Sequence, residues 1–152
     1  MNCPSYYSHK GAEDEVLNRD GKWLLSLYNT KDTNVEPRGG ALIREYTRQQ
    51  LLLKGWSGEV TINNEYDLTV FSKKDDLAFQ IQTGNASRAP YDLLKLQYLY
   101  AERSIAAAVL ALPTKAAAKV LGDNIASFDR VHGELDLFDR IITVPILLLG
   151  FE

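Results

Sequence analysis

This chain has little of what several large protein classes require. Its 152 residues include a single cysteine, Cys3, which excludes an intramolecular disulfide and a cysteine-based zinc site. It has no run of 18 or more apolar residues, so we expect no membrane-spanning helix. The N-terminal segment MNCPSYYSHKGAEDEV lacks the apolar stretch of a secretory signal, and together with the lone cysteine this favours a cytoplasmic protein.

Positive charge is not in excess either. The formal net charge is −3, which argues against a chain that coats nucleic acid non-specifically. A local basic cleft remains compatible with that balance, because net charge says nothing about where the charges lie. What the chain does have is a hydrophobic content of 45%, enough for a sizeable core, and we expect one domain over residues 1–152.

Periodicity predicts an α/β protein with a central mixed sheet. With consecutive helical segments counted together, the order is helix, strand, strand, helix, strand, helix, strand. Gly21 interrupts the first helical region, Gly55 and Gly122 are expected to end helices, and a break or bend is expected near Gly133. The predicted helical segments are 11–30, 41–55, 87–104, 114–122 and 124–140, and the predicted strands are 65–72, 77–84, 105–113 and 143–151.

The middle of the chain predicts an antiparallel hairpin with one polar face. Residues 65–72 and 77–84 flank the polar turn KKDD. A symmetric turn would place Ser72 opposite Leu77 and Asp67 opposite Gln82. Because side chains alternate, one face would then carry Asp67, Gln80 and Gln82, and the other Leu68, Val70, Leu77, Phe79 and Ile81.

An acid on one strand and two polar residues on the next has a chemical meaning. Hydrolysis of a phosphodiester needs a divalent ion that neutralises the phosphate and lowers the pKa of a water molecule. Two carboxylates on adjacent strands can hold such an ion while a third polar group orients the water. The spacing of Asp67, Gln80 and Gln82 is by itself a weak signal, since many polar-faced hairpins produce it, and idle surface glutamines are the commoner explanation.

Several further segments carry a family resemblance, and they occur in family order over most of the chain. They are YSH (7–9), LLLKGW (51–56), KDDLAFQIQTGN (74–85), YDLLKLQYLY (91–100), SIAAAVLALP (104–113), GELDLF (133–138) and VPILLLGF (144–151). Together they resemble the BglII/BstYI family of type II restriction endonucleases. The resemblance implies the three-layer α/β core of PD-(D/E)xK nucleases, Mg²⁺ as cofactor, double-stranded DNA as substrate and a homodimer on a palindromic site.

The resemblance also implies roles for the polar face of the hairpin. Asp67 would bind the metal, Gln80 would fill the second ligand position and Gln82 would orient the attacking water. Glutamine at position 82 matches the family's Asp…Glu-x-Gln pattern. Gln80 departs from it, because an amide oxygen is a neutral and weaker Mg²⁺ ligand than the expected glutamate. The spacing from Asp67 to Gln80 is also longer than in the family.

Neighbouring residues extend the expected site. Asn85, Ser87 and Arg88 precede a predicted helix and would offer donors to a DNA phosphate, although an ordinary capped helix start explains them equally well. Glu45 is a possible extra acid, against the commoner case of a solvated helix carboxylate between arginines. Lys95 matches the lysine of the DLLK segment and also suits an ion pair with the nearby Asp92.

Two functions remain open from the sequence. One is a Mg²⁺-dependent endodeoxyribonuclease with a degenerate motif at Asp67, Gln80 and Gln82. The other is a DNA- or protein-binding module on the same fold that no longer hydrolyses DNA. An engineered replacement of glutamate by glutamine at position 80 would give the same sequence.

Overall fold

A computed structural model describes all residues from 1 to 152 and contains seven strands and five α-helices. The strands are β1 (Ser5–His9), β2 (Val60–Asn63), β3 (Leu68–Val70), β4 (Ser72–Lys74), β5 (Leu77–Ile81), β6 (Ala107–Pro113) and β7 (Ile146–Phe151). The helices are α1 (Ala12–Asp20), α2 (Gly40–Leu53), α3 (Ala89–Ala101), α4 (Lys115–Leu121) and α5 (Phe128–Leu137). Two 3₁₀ turns, Lys22–Ser26 and Ala86–Arg88, precede α2 and α3. No helix combines the length and the apolar character needed to cross a membrane.

Five of the strands form one mixed sheet in the order β1-β7-β6-β5-β4. The three central strands, β5, β6 and β7, run parallel, and each edge strand is antiparallel to its neighbour. The parallel strands are buried on both faces, which explains their nearly continuous apolar sequences. Strands β2 and β3 form a separate two-stranded hairpin.

Helices cover both faces of the central sheet and produce two cores. On one face, α1 and α2 pack against the β5 side chains of Leu77, Phe79 and Ile81. On the other, α3 and α5 pack against a second set that includes Ala78 of β5 and Leu110 of β6. This arrangement confirms the predicted three-layer α/β core with a central mixed sheet.

Several element predictions need correction. Strands β1 and β2 were not expected from the sequence, and α5 continues through Gly133 without a break. Helix α3 buries Leu93 and Leu99 as an amphipathic helix should, whereas the neighbouring Leu94 is 56% exposed. Leu94 points outward because it lies only one residue from Leu93, a rotation of roughly 100° around the helix.

The predicted central hairpin is wrong in both partner and register. Strand β3 pairs with β2, and the antiparallel partner of β5 is the short β4, with Ser72 opposite Phe79 and Lys74 opposite Leu77. The two lysines of KKDD are strand residues, and the turn is the Asp75–Asp76 pair, where Asp75 adopts a positive φ of 50°.

The lysine side chains anchor β4 to neighbouring elements. Lys73 Nζ donates to Ser104 Oγ at 2.8 Å. Lys74 forms an ion pair with the buried carboxylate of Asp20, which also accepts a hydrogen bond from Trp56 Nε1 at 2.7 Å. Lys74 Nζ also donates to the Lys54 carbonyl oxygen at 2.8 Å, so β4 is anchored to the ends of both α1 and α2.

Candidate functional site

A polar cleft of about 590 Å³ lies beyond the carboxyl end of β5, between α2, β3 and the start of α3. Its position follows from the topology, because the chain leaves the parallel strand there and turns into α3. The cleft has few apolar walls. Its charged and amide side chains are those of Arg44, Glu59, Gln80, Gln82, Arg88, Asp92 and Lys95.

Gln80 and Gln82 are held by a carboxylate that α3 supplies. Gln80 Nε2 donates to Asp92 Oδ1 at 2.8 Å, and Gln82 Nε2 donates to Asp92 Oδ2 at 2.6 Å. Asp92 is only 3% exposed, and each glutamine only 7%. The two glutamines are therefore buried parts of a network and not idle surface groups.

The oxygen ends of both amides are engaged as well. Gln80 Oε1 accepts from the Phe71 backbone N–H at 3.1 Å, and Gln82 Oε1 accepts from the Gly84 N–H at 2.8 Å. Amide orientation follows from these partners, since a backbone N–H needs an oxygen and a carboxylate needs N–H donors. A side chain at Gly84 would crowd this turn, because its Cβ would lie 3.1 Å from Gln82 Oε1.

Lys95 completes the network. Its Nζ lies 2.8 Å from Asp92 Oδ1, three residues earlier on α3, and donates to the Thr69 carbonyl oxygen of β3 at 3.1 Å. The ammonium also lies 5.8 Å from the ring centroid of Tyr91. The expected Lys95–Asp92 ion pair is confirmed, and it joins α3 to β3 across the cleft.

Two arginines add positive charge around this centre. Arg44 of α2 donates to the Ile81 carbonyl oxygen at 3.2 Å, and its guanidinium lies 5.1 Å from the Phe71 ring centroid. Arg88, just before α3, lines the cleft with an exposed side chain. The cleft contains two acids, Asp92 and Glu59. Lys95 neutralises Asp92, which leaves the exposed Glu59 as the one acid without that partner.

Asp67 is not brought to the glutamines. It lies in the exposed turn between β2 and β3, with a positive φ of 48°, and it does not line the cleft. Its expected place depended on the wrong hairpin register. Continuing the observed β4–β5 register puts Phe71 opposite Gln80, and Phe71 contributes its backbone N–H there.

Glu45 also lies outside the cleft. It is exposed on α2, where its carboxylate accepts from Arg48 at 2.6 and 2.8 Å and from Gln49 Nε2 at 2.9 Å. These hydrogen bonds lower the pKa of Glu45 to about 2. The side chain behaves as the solvated helix carboxylate that the sequence left open as the alternative.

Of the three residues before α3, only Arg88 lines the cleft. Asn85 Oδ1 accepts from the Ser87 N–H at 2.9 Å and from Ser87 Oγ at 2.8 Å, so these two side chains cap the 3₁₀ turn. Both Ser87 donors therefore face their own turn, as in an ordinary helix start.

Asp92 is the central residue that the sequence reasoning did not place in the site. A signal for it was present, because Asp92 occupies a position in the buried stripe of α3 that otherwise consists of Ala89, Leu93, Leu96 and Leu99. A carboxylate is rarely fully buried unless it is paired, so its place in that stripe indicates partners on the sheet.

Comparison with known proteins agrees with the architecture. The family model for the restriction endonuclease BglII/BglIII matches residues 6–151. The chain belongs to the BglII/BglIII restriction endonuclease family. The resemblance to BglII-type enzymes is thereby confirmed.

Solved structures of BglII share the fold of this family member. The crystal structure of BglII complexed with a DNA 16-mer is similar with a TM-score of 0.82 and 13% identity, over 100% of this chain and 78% of that one. The crystal structure of free BglII has a TM-score of 0.69 and 13% identity, over 97% of this chain and 78% of that one. No curated protein sequence matches this chain.

The cleft of this BglII/BglIII family member does not fit a Mg²⁺ ion. Mg²⁺ needs oxygen ligands in octahedral geometry, usually including one or two carboxylates. Both Asp92 oxygens receive N–H donors, and both glutamine oxygens accept from the backbone. No group of three or more His, Cys, Asp or Glu side chains lies close enough to hold a metal ion.

Proposed function

We propose that this protein binds duplex DNA through its phosphate backbone in the cleft at the end of β5, without a divalent metal and without hydrolysis. The observation that carries this proposal is the state of Asp92, whose two oxygens are occupied by two amides and an ammonium. A neutralised acid leaves the surrounding cationic side chains available for an anion. Membership of a restriction endonuclease family and the shared fold with BglII, whose structure contains a DNA 16-mer, support DNA as that anion.

The cleft has the donors that a phosphodiester requires. Arginine presents planar N–H groups that suit phosphate oxygens, and Arg88 is exposed at the cleft wall. Arg44 lies on the opposite wall, where its bond to the Ile81 carbonyl limits its movement. Contacts of this kind position a duplex without reading its sequence, so the proposal includes no recognition site.

The second candidate is a Mg²⁺-dependent endodeoxyribonuclease, which family membership favours. It would place the metal ion beside an Asp92 carboxylate that already accepts from two amides and an ammonium. The strand acid expected at Asp67 does not line the cleft. We therefore derive no hydrolytic step.

We also propose a homodimer, formed through an apolar patch that begins beside the cleft. The patch lies on the outer side of α3 and on the segment that follows α5. Leu94 is 56% exposed and Ile141 64% exposed, and they line a hollow of about 220 Å³ that is almost entirely apolar. Exposed apolar patches of this kind mark interaction surfaces. Because α3 also carries Asp92 and Lys95, pairing two copies there would bring two clefts onto one duplex.

Binding of a fluorescent duplex in EDTA tests the proposal. Arg88→Ala should weaken binding severalfold for every sequence and reduce the slope of affinity against salt by about one, because one phosphate contact is lost. Arg19→Ala is the matched control, since Arg19 lies on α1 and forms only exposed ion pairs. Absence of DNA binding by the parent, or an equal loss of DNA affinity in Arg88→Ala and Arg19→Ala, would contradict the proposal. Nicking of supercoiled plasmid with Mg²⁺ would favour the second candidate.

A further inference from the structure

We propose that the Lys95 ammonium is the resident cation of this cleft, in the place where a divalent ion would lie between a carboxylate and a DNA phosphate. The contact with phosphate rests on the proposed function. The role as resident cation rests on the network alone.

The surroundings of Lys95 Nζ are those of a bound cation. Asp92 Oδ1 lies at 2.8 Å and the Thr69 carbonyl oxygen at 3.1 Å, so two oxygens from different elements coordinate the charge. The Lys95 side chain is 11% exposed, which is little for a lysine. An ammonium has three donors, and these two oxygens account for two of them.

Because Gln80 and Gln82 are neutral, the single positive charge of Lys95 is enough to balance the buried centre. Gln80 and Gln82 contact Asp92 as neutral groups, so the buried centre contains one carboxylate and one ammonium. A carboxylate at either glutamine position would leave an unbalanced negative charge and create a demand for a further cation. Asp92, Lys95 and the two amides therefore form a charge-balanced set that needs no metal.

The third N–H of Lys95 is the donor that would bind a DNA phosphate. Lys95 lines the same cleft as Arg44 and Arg88, so a phosphate oxygen entering between the arginines meets the remaining ammonium donor. The positive character of the cleft is then built into the chain and does not vary with the concentration of divalent ions.

Titration with Mn²⁺, followed by calorimetry and by the electron paramagnetic resonance of the free ion, tests the resident-cation role. The parent protein should show no saturable binding at millimolar Mn²⁺. Lys95→Met keeps the apolar stem and removes the charge, so Asp92 should bind Mn²⁺ at least tenfold more tightly than the parent does. Lys73→Met is the control, because Lys73 pairs with Ser104 outside the cleft and its loss should create no site.

Two further variants keep the result decisive. Asp92→Asn combined with Lys95→Met has neither charge and should bind no Mn²⁺. If Lys95→Met does not fold, Lys95→Ala replaces it, because alanine favours the helix, removes the charge and leaves Asp92 without that donor. Saturable Mn²⁺ binding by the parent that Asp92→Asn abolishes would overturn the proposal, as would a folded neutral variant that gains no Mn²⁺ affinity.

A DNA arm separates this inference from the proposed function. In EDTA, Lys95→Met should bind duplex DNA severalfold more weakly than the parent, and Mn²⁺ should restore part of the loss. Loss of affinity that Mn²⁺ does not restore, although the variant binds Mn²⁺, would contradict the phosphate contact. A parent that binds no DNA at all would overturn the proposed function, and the Mn²⁺ titration would still decide the role of Lys95.

Discussion

Among individual side chains, the orientation of the Gln80 and Gln82 amides determines which groups face the centre of the site. The sequence correctly indicated that Gln80 and Gln82 share one side of a strand, because alternation fixes that side. It did not indicate their partner, since Asp92 comes from a helix and meets them only after α3 has packed on the sheet. Both glutamine oxygens face backbone N–H groups, so the amides present donors to the centre of the site.

Gln80→Glu should convert the balanced centre into a cation site. The new carboxylate would lie beside Asp92, and Lys95 alone cannot neutralise both. We expect a lower Tm than the parent in EDTA and a rise of several degrees when Mn²⁺ is added, because an ion that binds only the folded state stabilises it. Differential scanning fluorimetry with and without Mn²⁺ measures both effects.

Asp67→Asn is the matched control for this substitution. Asparagine tolerates the positive φ of this turn, and the Asp67 carboxylate is exposed outside the cleft. Its Tm and its response to Mn²⁺ should equal those of the parent. An equal Tm and an equal Mn²⁺ response for Gln80→Glu and the parent would contradict the charge balance described here. Loss of DNA binding in Asp67→Asn would show that Asp67 belongs to the DNA-binding site.

Among the strands and helices, the central strands were the most predictable elements. Segments 105–113 and 143–151 have short continuous apolar runs, and β6 and β7 lie within them, since a parallel strand buried on both faces leaves little choice of residue. The edge strands of the sheet were harder to predict. β1 has the sequence SYYSH, and its pairing with β7 depends on a strand at the other end of the chain.

The register of β4 shows why the polar face was misassigned. Both lysines of KKDD look like turn residues, but Lys73 and Lys74 find partners on the 104 loop and on Asp20. Those contacts are tertiary, so local pattern cannot reveal them. The observed register therefore differs from the predicted one, and Asp67 lies in the turn before β3 instead of in the expected hairpin.

The packing of α5 on β7 gives a test of the sheet layer. A Cβ at Gly150 would lie 3.0 and 3.1 Å from the Phe128 ring atoms Cγ and Cδ2 and 3.3 Å from Phe128 Cβ, and a ring cannot yield as a flexible side chain does. Gly150→Ala should therefore lower the free energy of unfolding by about 1–3 kcal/mol through overpacking. Urea denaturation measures the change.

Gly58→Ala is the control for that substitution, because nothing lies within 4 Å of its added Cβ. We expect a change within about 0.5 kcal/mol, as for most surface substitutions. A neutral Gly150→Ala would mean that α5 lies farther from β7 than described here.

For the molecule as a whole, the outer side of α3 and the segment after α5 make an apolar patch that a monomer leaves in solvent. Leu94→Glu should shift the protein toward the monomer, because it places a charge at the centre of the proposed dimer contact. Leu42→Glu on α2 is a close control, since Leu42 is 58% exposed outside the patch. Sedimentation velocity at several concentrations measures the effect, and a monomeric parent would rule out the dimer.

The central claim is that the cleft holds DNA without a metal ion, and its most direct test is one equilibrium titration performed twice. A fluorescent duplex is titrated with the parent protein in EDTA and again in Mg²⁺, at matched ionic strength because phosphate contacts depend on salt. We predict equal affinities in the two buffers and intact duplex at the end of each titration. Binding that occurs only with Mg²⁺, or duplex that is cut in the Mg²⁺ sample, would contradict the claim.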